Sequence, residues 1–222
     1  MIKIENVVTP SPEQWKATIM GTRNAMNSWE KSDSGWRPME VADGVGWLIG
    51  ENDYALMMKL ANAGPVHGKF RRMITVYVDI TAPLYWWKEF DTYKVGTVAN
   101  SCSTMHKIAE KEFTIDDFSC EHLISNAQVY NGYVPTAVLE CTIGALNEFR
   151  DIYLKTKDKA YWWQMIQLLP SSYNQKRTVM LNYEVLANIY KYRKNHKLDE
   201  WVELCKWIES LPYSELITGG ND

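Results

Sequence analysis

The chain has 222 residues, of which 46% are hydrophobic, and its formal net charge at pH 7 is −3. This length and apolar content suffice for a large core and predict one globular domain over residues 1–222. The slightly acidic balance argues against binding to nucleic-acid polymers or anionic membranes, and no apolar run is long enough to span a bilayer. Four cysteines without CxxC spacing and no recognisable signal peptide lead us to expect a cytoplasmic protein with free thiols.

The first third of the chain predicts short strands that alternate with helices. The expected strands cover residues 2–8, 39–49 and 73–80, and the expected helices cover residues 12–29 and 52–63. The clearest signal is a helix start at Ser11, because Pro12 suits the first helical position and Gln14 completes a capping box. Gly64 and Pro65 are expected to end the second helix.

The stretch 82–106 is the most distinctive part of the sequence. Pro83 fits the first turn of a helix, where its missing N–H leaves no bond unmade, and Gly96 is expected to end that helix. The polar residues that follow are Asn100, Ser101, Cys102, Ser103 and Thr104. Such small polar side chains suit the hydrogen bonding of a ligand, but the same composition is also typical of a solvated loop.

The second half of the chain is predicted to be mostly helical. Apolar residues at three- and four-residue spacing predict helices near residues 115–128 and 135–155, and a further helix from residue 159 ends before Pro170. Strands followed by many helices indicate an α/β (α+β) fold with few strands. The adjacent pairs Trp86-Trp87 and Trp162-Trp163 cannot both be buried on one helix face, so we expect some of these rings to contact another subunit or a ligand; packing in the core is the alternative.

Asn182 and Arg193 are eleven residues apart, which on a helix returns to within about 20° of the starting face. Leu186 and Ile189 fall between them on the same stripe. A face that is apolar in the middle and polar at both ends is suited to packing a base and holding its polar groups. The alternative is an ordinary amphipathic helix with Arg193 in its last turn, where a cation interacts favourably with the helix dipole.

Two blocks of the chain, residues 65–106 and 168–208, resemble the flavin-dependent thymidylate synthases, the ThyX family. The first block follows the family's pattern of Ala-Pro, Arg-Gln, Arg-His-Arg, a Gly-Ser turn and Asn-Glu-x-Ser-x-Arg. The second contains an Asn and an Arg at the family's separation. The residues that match are His67, Ala82-Pro83, Gly96, Asn100, Ser103, Asn182 and Arg193, and Thr97 stands in place of the Ser of the turn.

Most of the charged residues of the family are replaced. The replacements are Lys88-Glu89 for Arg-Gln, Thr92-Tyr93-Lys94 for Arg-His-Arg, Ser101 for Glu and Met105 for Arg. Lysine is a point charge and lacks the planar fork with which arginine pairs bidentately with phosphate. Each lost charge-assisted hydrogen bond weakens binding by about 1.5–3 kcal/mol, so that several losses together weaken binding of the family's ligands roughly a thousandfold or more.

The resemblance implies a ThyX-like fold, with a small central sheet flanked by long helices, and a homotetramer whose pockets lie between subunits. It assigns nucleotide binding to Glu89, Lys94, Asn100, Ser101, Ser103, Asn182 and Arg193. It assigns contacts with FAD to His67, Arg71, Thr92, Tyr93 and Lys94, although the loss of the family's cations is expected to weaken the binding of FAD. Ser103, which would lie beside the pyrimidine, is the candidate catalytic residue, and the sequence shows no cluster with metal-ligand spacing.

These departures favour a ThyX-like nucleotide-binding protein without thymidylate synthase activity. One concrete form is a phage-encoded protein that sequesters a nucleotide, for example a signalling nucleotide. The alternative is an active flavin-dependent thymidylate synthase, or a related one-carbon transfer enzyme, acting on dUMP or another pyrimidine nucleotide. A third hypothesis is a structural or protein-binding module that uses the tryptophan-rich surface.

Overall fold

The computed structural model describes residues 2–38, 44–125 and 132–219. Its strands are β1 (Lys3–Val8), β2 (Gly35–Pro38), β3 (Val45–Leu48), β4 (Thr75–Pro83), β5 (Val98–Ser101) and β6 (Asn174–Asn182). Its helices are α1 (Pro12–Arg23), α2 (Glu51–Asn62), α3 (Leu84–Phe90), α4 (Thr104–Lys107), α5 (Pro135–Thr156), α6 (Lys159–Leu168), α7 (Tyr183–Arg193), α8 (Asp199–Glu209) and α9 (Glu215–Thr218). One four-stranded sheet has the order β1-β4-β6-β5, and β2 pairs antiparallel with β3. The predicted mixed fold with few strands is confirmed.

The start of the first helix is confirmed, but its end comes earlier than predicted. Ser11 accepts a hydrogen bond from the Gln14 N–H, and the Gln14 side chain accepts one from the Ser11 N–H, which completes the capping box. α1 ends at Arg23, and after a single 3-10 turn Asn27 takes a left-handed conformation with φ 46°. A right-handed helix cannot continue through such a residue.

The cap of α2 comes from a distant loop. The helix begins at Glu51 rather than Asn52, and Gly50, the N-cap residue, provides no side-chain cap. Instead the Asp33 carboxylate accepts hydrogen bonds from the N–H groups of Asn52 and Asp53, at 3.0 and 3.1 Å. Because the acceptor lies far away in the sequence, a local pattern does not reveal this helix start.

The stretch 82–106 is less helical than predicted. α3 ends at Phe90, well before Gly96, and residues 98–101 form strand β5 instead of a loop. Ser103 is the N-cap of the short helix α4 and accepts a hydrogen bond from the His106 N–H at 3.1 Å. The small polar side chains therefore begin secondary structure as well as offering hydrogen bonds.

Three further differences concern the extent of elements. The predicted helix at 115–128 is wrong in its described part, where only the 3-10 turn Ile115–Asp117 forms, and residues 126–128 lie outside the described residues. The strand predicted at 39–49 is confirmed as β3, whereas residues 39–43 also lie outside the described part. β6 is an unpredicted strand that leads directly into α7.

The chain divides into two compact units. Unit 1 comprises residues 1–4, 80–92 and 100–177, and unit 2 comprises residues 5–79, 93–99 and 178–222. The core of unit 1 includes Ile108, Phe113, Phe118, Leu139, Leu146 and Met165. The core of unit 2 includes Trp15, Ile19, Met57, Val76, Tyr183, Leu186, Ile189, Trp201 and Leu204. No helix in the described parts of the chain is long and apolar enough to cross a membrane. The single domain over residues 1–222 stays a prediction.

The first tryptophan pair is buried within unit 1, as in the alternative of core packing, so the expectation that two adjacent rings cannot both be buried is wrong for this pair. Trp86 and Trp87 are both 0% exposed and meet edge to face with ring centroids 4.9 Å apart. Phe90 contacts both indoles, and Trp87 Nε1 donates a hydrogen bond to the Gln175 carbonyl at 2.8 Å. Neither ring is available to a ligand or partner, whereas Trp163 of the second pair is 42% exposed.

Candidate functional site

A cavity of about 760 Å³ lies within unit 2, and we call it the unit 2 cavity. Its polar lining residues are Arg71, Arg72, Thr75, Asn182, Glu184, Asn188, Tyr190, Lys191, Tyr192, Lys194 and Thr218. Four of these side chains are cations, and Glu184 is the single carboxylate among the residues that line the cavity. An excess of positive charge in a concave surface raises the local concentration of anions.

One face of α7 forms a wall of the unit 2 cavity. Glu184, Asn188 and Lys191 are spaced by four and three residues, so they lie on the same side of the helix. Leu186 and Ile189 are 0% exposed in the core. The stripe of α7 that was expected to pack a base is therefore mostly buried in the core, as in the amphipathic-helix alternative. A neighbouring face of the same helix lines the cavity.

Asn182 links the start of α7 to the turn at Gly96. Its side-chain oxygen caps the helix by accepting a hydrogen bond from the Val185 N–H at 3.0 Å, and its Nδ2 donates to the Gly96 carbonyl at 3.2 Å. Gly96 has φ +73°, and a Cβ built on it would lie 2.6 Å from Asn182 Nδ2. Glycine is thus required both for the left-handed backbone and for the close approach of the amide. Both residues line the cavity as fixed parts of its wall.

Arg71 and Glu184 form an ion pair in the wall of the unit 2 cavity. Arg71 Nε and Nη2 lie 2.8 and 2.7 Å from Glu184 Oε2, and Arg71 Nη1 donates to the Leu216 carbonyl at 3.3 Å. The two side chains are 11% and 18% exposed, so the pair is largely shielded from bulk water. Since Glu184 compensates Arg71, the net positive charge of the cavity comes from Arg72, Lys191 and Lys194.

Tyr190 contributes a neutral phenol to this lining. Its hydroxyl donates a hydrogen bond to Glu209 Oε1 at 2.7 Å. This bond to a carboxylate, with a smaller contribution from burial, raises the pKa of Tyr190 to about 12. A phenol is already neutral at pH 7, and the raised pKa keeps Tyr190 neutral at higher pH as well.

Arg193 lies in an aromatic cluster at the end of α7. Its guanidinium carbon is 4.6 Å from the Trp201 ring centroid and 5.7 Å from that of Tyr93, distances typical of cation–π contacts. Arg193 Nε donates to the Tyr93 hydroxyl at 2.9 Å, and Nη1 lies 2.8 Å from His196 Nε2. Arg193 is not among the residues that line the unit 2 cavity. Its contact with a nucleotide stays a prediction.

The other predicted site residues of unit 2, Lys94 and His67, are not among the residues that line the unit 2 cavity. Lys94 is exposed in the turn before Gly96. His67 is exposed at the start of the 3-10 helix Gly68–Met73 and lines a smaller cavity of about 330 Å³. Of the residues predicted from the sequence, the unit 2 cavity brings together Arg71 and Asn182.

The predicted site residues of unit 1 fall in two places. The Thr92 hydroxyl donates to the Glu89 carbonyl at 2.8 Å, just after α3. Asn100 and Ser101 are exposed on β5, and Ser103 is exposed as the cap of α4. The observed contact of the Ser103 hydroxyl is thus a helix cap, and its catalytic role stays a prediction.

The residues assigned to FAD bring fewer cations to a flavin's diphosphate than the family pattern does. The Thr92 hydroxyl donates to Glu89, the Tyr93 hydroxyl accepts from Arg193, and Lys94 is the one cation of the three. Arg71, a further assigned residue, is paired with Glu184. A diphosphate is held by several cations or N–H donors, and in this set Arg71 and Lys94 are the arginine and lysine, beside His67. No group of three or more His, Cys, Asp or Glu side chains in the described residues is arranged to hold a metal ion.

Sequence reasoning missed Glu184, Asn188 and Lys191. A signal for them exists, because polar residues at positions i, i+4 and i+7 of a helix share one face. The eleven-residue separation of Asn182 from Arg193 instead predicts a different face of α7 as the binding face. Which face meets a cavity depends on the packing of unit 2, and the helix periodicity alone does not contain that information.

No protein-family model matches the sequence, and no curated protein sequence matches it significantly. Solved structures match nearly the whole chain. Thymidylate synthase X (ThyX) from Helicobacter pylori with FAD and dUMP has a TM-score of 0.64 at 15% identity, covering 98% of this chain and 97% of that one. A second structure of flavin-dependent ThyX from H. pylori, complexed with FAD and dUMP, has a TM-score of 0.63 at 16% identity, covering 98% of both chains.

A third similar structure is the UMP/dUMP methylase PolB from Streptomyces cacaoi bound with 5-Br UMP. Its TM-score is 0.61 at 13% identity, and the match covers 95% of this chain and 87% of that one. At such identities the likeness concerns the three-dimensional structure alone. The chain has the fold of the flavin-dependent thymidylate synthases, as the resemblance in the sequence predicts.

Proposed function

We propose that this chain binds a pyrimidine nucleotide in the unit 2 cavity and lacks thymidylate synthase activity. The observation that carries the proposal is the cavity itself, with four cations and one carboxylate, in a chain of ThyX fold. The two H. pylori structures of this fold are complexes with FAD and dUMP, and PolB is bound with 5-Br UMP. The cavity volume of about 760 Å³ lies in the usual range for small ligands, roughly 300–1,000 Å³.

The lining offers groups for both ends of a nucleotide. Arg72, Lys191 and Lys194 attract the phosphate, because Glu184 already compensates Arg71. Asn188 is exposed on the cavity face of α7, and its amide offers a donor and an acceptor to the edge of a base. Tyr192 is 64% exposed and provides an aromatic ring on which a base can stack.

Two sets of replaced residues argue against the synthase reaction. Thr92 and Tyr93 bring no cations for a flavin, and their hydroxyls are engaged within the protein. Ser101 and Met105 stand where the family pattern has a Glu and an Arg. Binding without chemistry is compatible with a protein that sequesters a nucleotide. A phage origin stays a prediction from the resemblance.

The direct test is to identify and measure the ligand. Mass spectrometry of the supernatant after denaturation of freshly purified protein should show a nucleotide, and calorimetry with UMP, dUMP and other nucleotides should show saturable binding. We expect Lys191→Glu to weaken binding about tenfold or more, since it places a negative charge in the phosphate region. Lys16→Glu, an exposed substitution on α1 outside the cavity, is the matched control and should change the affinity less than about twofold.

Two results would contradict this proposal. One is a complete lack of nucleotide binding across the panel, together with no ligand released from the purified protein. The other is equal binding by the parent protein and Lys191→Glu, which would place the nucleotide elsewhere. Arg193→Lys tests the nucleotide contact that the resemblance assigns to Arg193. If Arg193 contacts the nucleotide, the variant should bind it more weakly. If Arg193 only stabilises the cluster with Tyr93 and Trp201, the variant should have a lower thermal stability and an unchanged affinity.

The second candidate function is an active flavin-dependent thymidylate synthase or related one-carbon transfer enzyme. The observation that favours it is the match over 98% of the chain to structures that contain FAD and dUMP. It predicts a yellow protein with a flavin absorption band and rescue of a thymidine auxotroph. A colourless protein that takes up no FAD and gives no rescue would exclude it.

We further propose that the chain works as a homotetramer in the cytoplasm. Two exposed residues on the rim of the unit 2 cavity support self-association, since Val95 is 79% exposed and Tyr192 is 64% exposed. Large apolar patches mark surfaces that partners cover, and these two side chains are compatible with such a surface. Light scattering coupled to size-exclusion chromatography should give four times the chain mass of 25.8 kDa. A monomeric mass that persists in the presence of nucleotide would refute the tetramer and leave nucleotide binding to be tested separately.

A further inference from the structure

A second cavity, which we call the lysine cavity, lies within unit 1 where α5 ends and α6 begins. It has a volume of about 350 Å³, and its lining includes Met105, His106, Tyr153, Lys157, Lys159 and Trp162. No Asp or Glu is among the residues that line it. The lysine cavity shares no residue with the unit 2 cavity.

Lys157 occupies a backbone position at which glycine is usual. It is the C-cap of α5 and has φ 57° and ψ 15°, in the left-handed region. Glycine or asparagine avoids the steric cost of this conformation, whereas lysine accepts it and adds a cation to the cavity. Its Nζ lies 5.7 Å from the centroid of the Tyr153 ring, another lining residue.

Lys159 brings a second cation to the same cavity. It is the first residue of α6, and its Nζ lies 5.7 Å from the Trp163 ring centroid. Asp158, between the two lysines, directs its carboxylate to the helix, where it accepts a hydrogen bond from the Ala160 N–H at 2.9 Å. This carboxylate is therefore used as the cap of α6 and does not belong to the cavity lining.

Trp162 supplies an aromatic wall that is held in place at two points. Its Nε1 donates a hydrogen bond to the Met105 carbonyl at 3.1 Å. Its ring also meets the Trp163 ring edge to face, with centroids 4.8 Å apart. A ring fixed in this way loses little conformational entropy when another ring stacks on it.

We propose that the lysine cavity binds a small aromatic phosphate, meaning a phosphate group joined to a compound with one aromatic ring. Lys157 and Lys159 attract the phosphate, His106 offers it a hydrogen bond, and Trp162 with Tyr153 contacts the ring. A volume of about 350 Å³ lies near the lower end of the range for small-molecule sites, which suits one ring and one phosphate.

Calorimetric titration of the full chain with phenyl phosphate tests this proposal. We expect saturable binding and a shift of the Trp162 indole N–H signal in ¹H–¹⁵N spectra, assigned through Trp162→Phe. Lys157→Gly should weaken binding about tenfold, because a cation is lost, and should not lower the melting temperature, because glycine suits the left-handed backbone. Lys159→Ala should weaken it by a similar factor. The matched control is Lys155→Ala, since Lys155 is exposed in the last turn of α5 and does not line the cavity.

Several outcomes would overturn the proposal. They are no binding of phenyl phosphate by the parent protein, equal affinities of the parent and Lys157→Gly, or inorganic phosphate binding as tightly as phenyl phosphate. The last result would show an anion site without recognition of a ring. Failure here is distinguishable from failure of the unit 2 site, because Lys191→Glu changes only the unit 2 cavity and Lys157→Gly changes only the lysine cavity.

Discussion

Two arginine–carboxylate pairs in unit 2 use the same chemistry in different surroundings. Arg23 Nε lies 2.7 Å from Asp53 Oδ1, and the two side chains are 6% and 0% exposed. Arg71 Nη2 also lies 2.7 Å from Glu184 Oε2, but these side chains are 11% and 18% exposed and line the unit 2 cavity. The first pair is enclosed by protein, whereas the second borders a space that a ligand can enter.

The enclosed pair is part of a dense hydrogen-bond network. Asp53 Oδ2 accepts hydrogen bonds from the hydroxyls of Ser32 and Ser34, at 2.7 and 2.6 Å, and from the N–H groups of Asp33 and Ser34, both at 3.1 Å. Burial raises the pKa of Asp53, but the hydrogen bonds from Ser34, Ser32 and Arg23 outweigh it, so the pKa lies below its usual 3.8. This network ties residues 32–34 to the start of α2.

Enclosure decides what each pair can do. A carboxylate whose oxygens are both bonded inside the protein cannot exchange partners without unfolding the loop that supplies them. Glu184 faces a cavity, so an incoming anion competes with it for Arg71 and the neighbouring cations. The Asp53 pair therefore stabilises the fold, while the Glu184 pair adjusts the charge of the unit 2 cavity.

Asp53→Asn should have the largest effect on stability. It leaves Arg23 buried without a compensating charge, and we expect the free energy of unfolding to fall by about 3–5 kcal/mol. In the parent protein the contribution of Asp53 is present above its unfolded-state pKa of 3.8 and is lost as the pH falls below 3.8 through the folded-state value. Urea unfolding as a function of pH should show this acid-side loss in the parent protein and a weaker one in the variant.

The control for that change is Asp151→Asn, because Asp151 pairs with Arg150 at 2.9 Å but its side chain is 60% exposed. An exposed pair contributes little, so this variant should lose less than about 1 kcal/mol. Equal losses in the two variants would show that enclosure does not distinguish these carboxylates.

Gly96→Ala should have an intermediate effect that combines stability and binding. The new Cβ would lie 2.6 Å from Asn182 Nδ2 and displace the cap of α7, in addition to the strain of a left-handed alanine. We expect a loss of about 2–3 kcal/mol in the free energy of unfolding, with weaker nucleotide binding because the cavity wall shifts.

Gly64→Ala isolates the backbone contribution. Gly64 also has a positive φ, +96°, but a Cβ there meets nothing within 4 Å. Chemical unfolding should give a loss of about 1–2 kcal/mol for this control, and calorimetry should give an unchanged nucleotide affinity. If Gly96→Ala behaves like Gly64→Ala in both measurements, the contact between Asn182 and Gly96 does not shape the cavity.

Of the three substitutions, Glu184→Gln should lower stability least, and it should strengthen nucleotide binding. We expect unfolding to become easier by about 1–2 kcal/mol, because Arg71 keeps a polar partner and some access to water. Nucleotide affinity should rise about fivefold, since the cavity loses its one lining carboxylate. Glu203→Gln, which breaks an exposed pair with Lys206, is the control and should change neither quantity. Weaker nucleotide binding by Glu184→Gln would mean that Glu184 contacts the ligand instead of opposing it.

The local sequence sets those features whose physics is local. The capping box at Ser11 and the helices α5 and α6 follow from side chains within a few residues of one another, so their patterns predict them. The resemblance of residues 65–106 and 168–208 to the flavin-dependent thymidylate synthases also predicts the fold.

Packing between distant segments of the chain determined the features that the local sequence does not predict. Asp33 caps α2 from a loop, Leu186 and Ile189 turn into the core, and Glu184 meets Arg71 across 113 positions of the chain. Helix periodicity defines which residues of α7 share a face, but the burial of one face and the opening of a cavity on another depend on the neighbours supplied by the fold. Hydrophobic burial and ion pairing act through space, and for that reason only the tertiary structure decided where the candidate site lies.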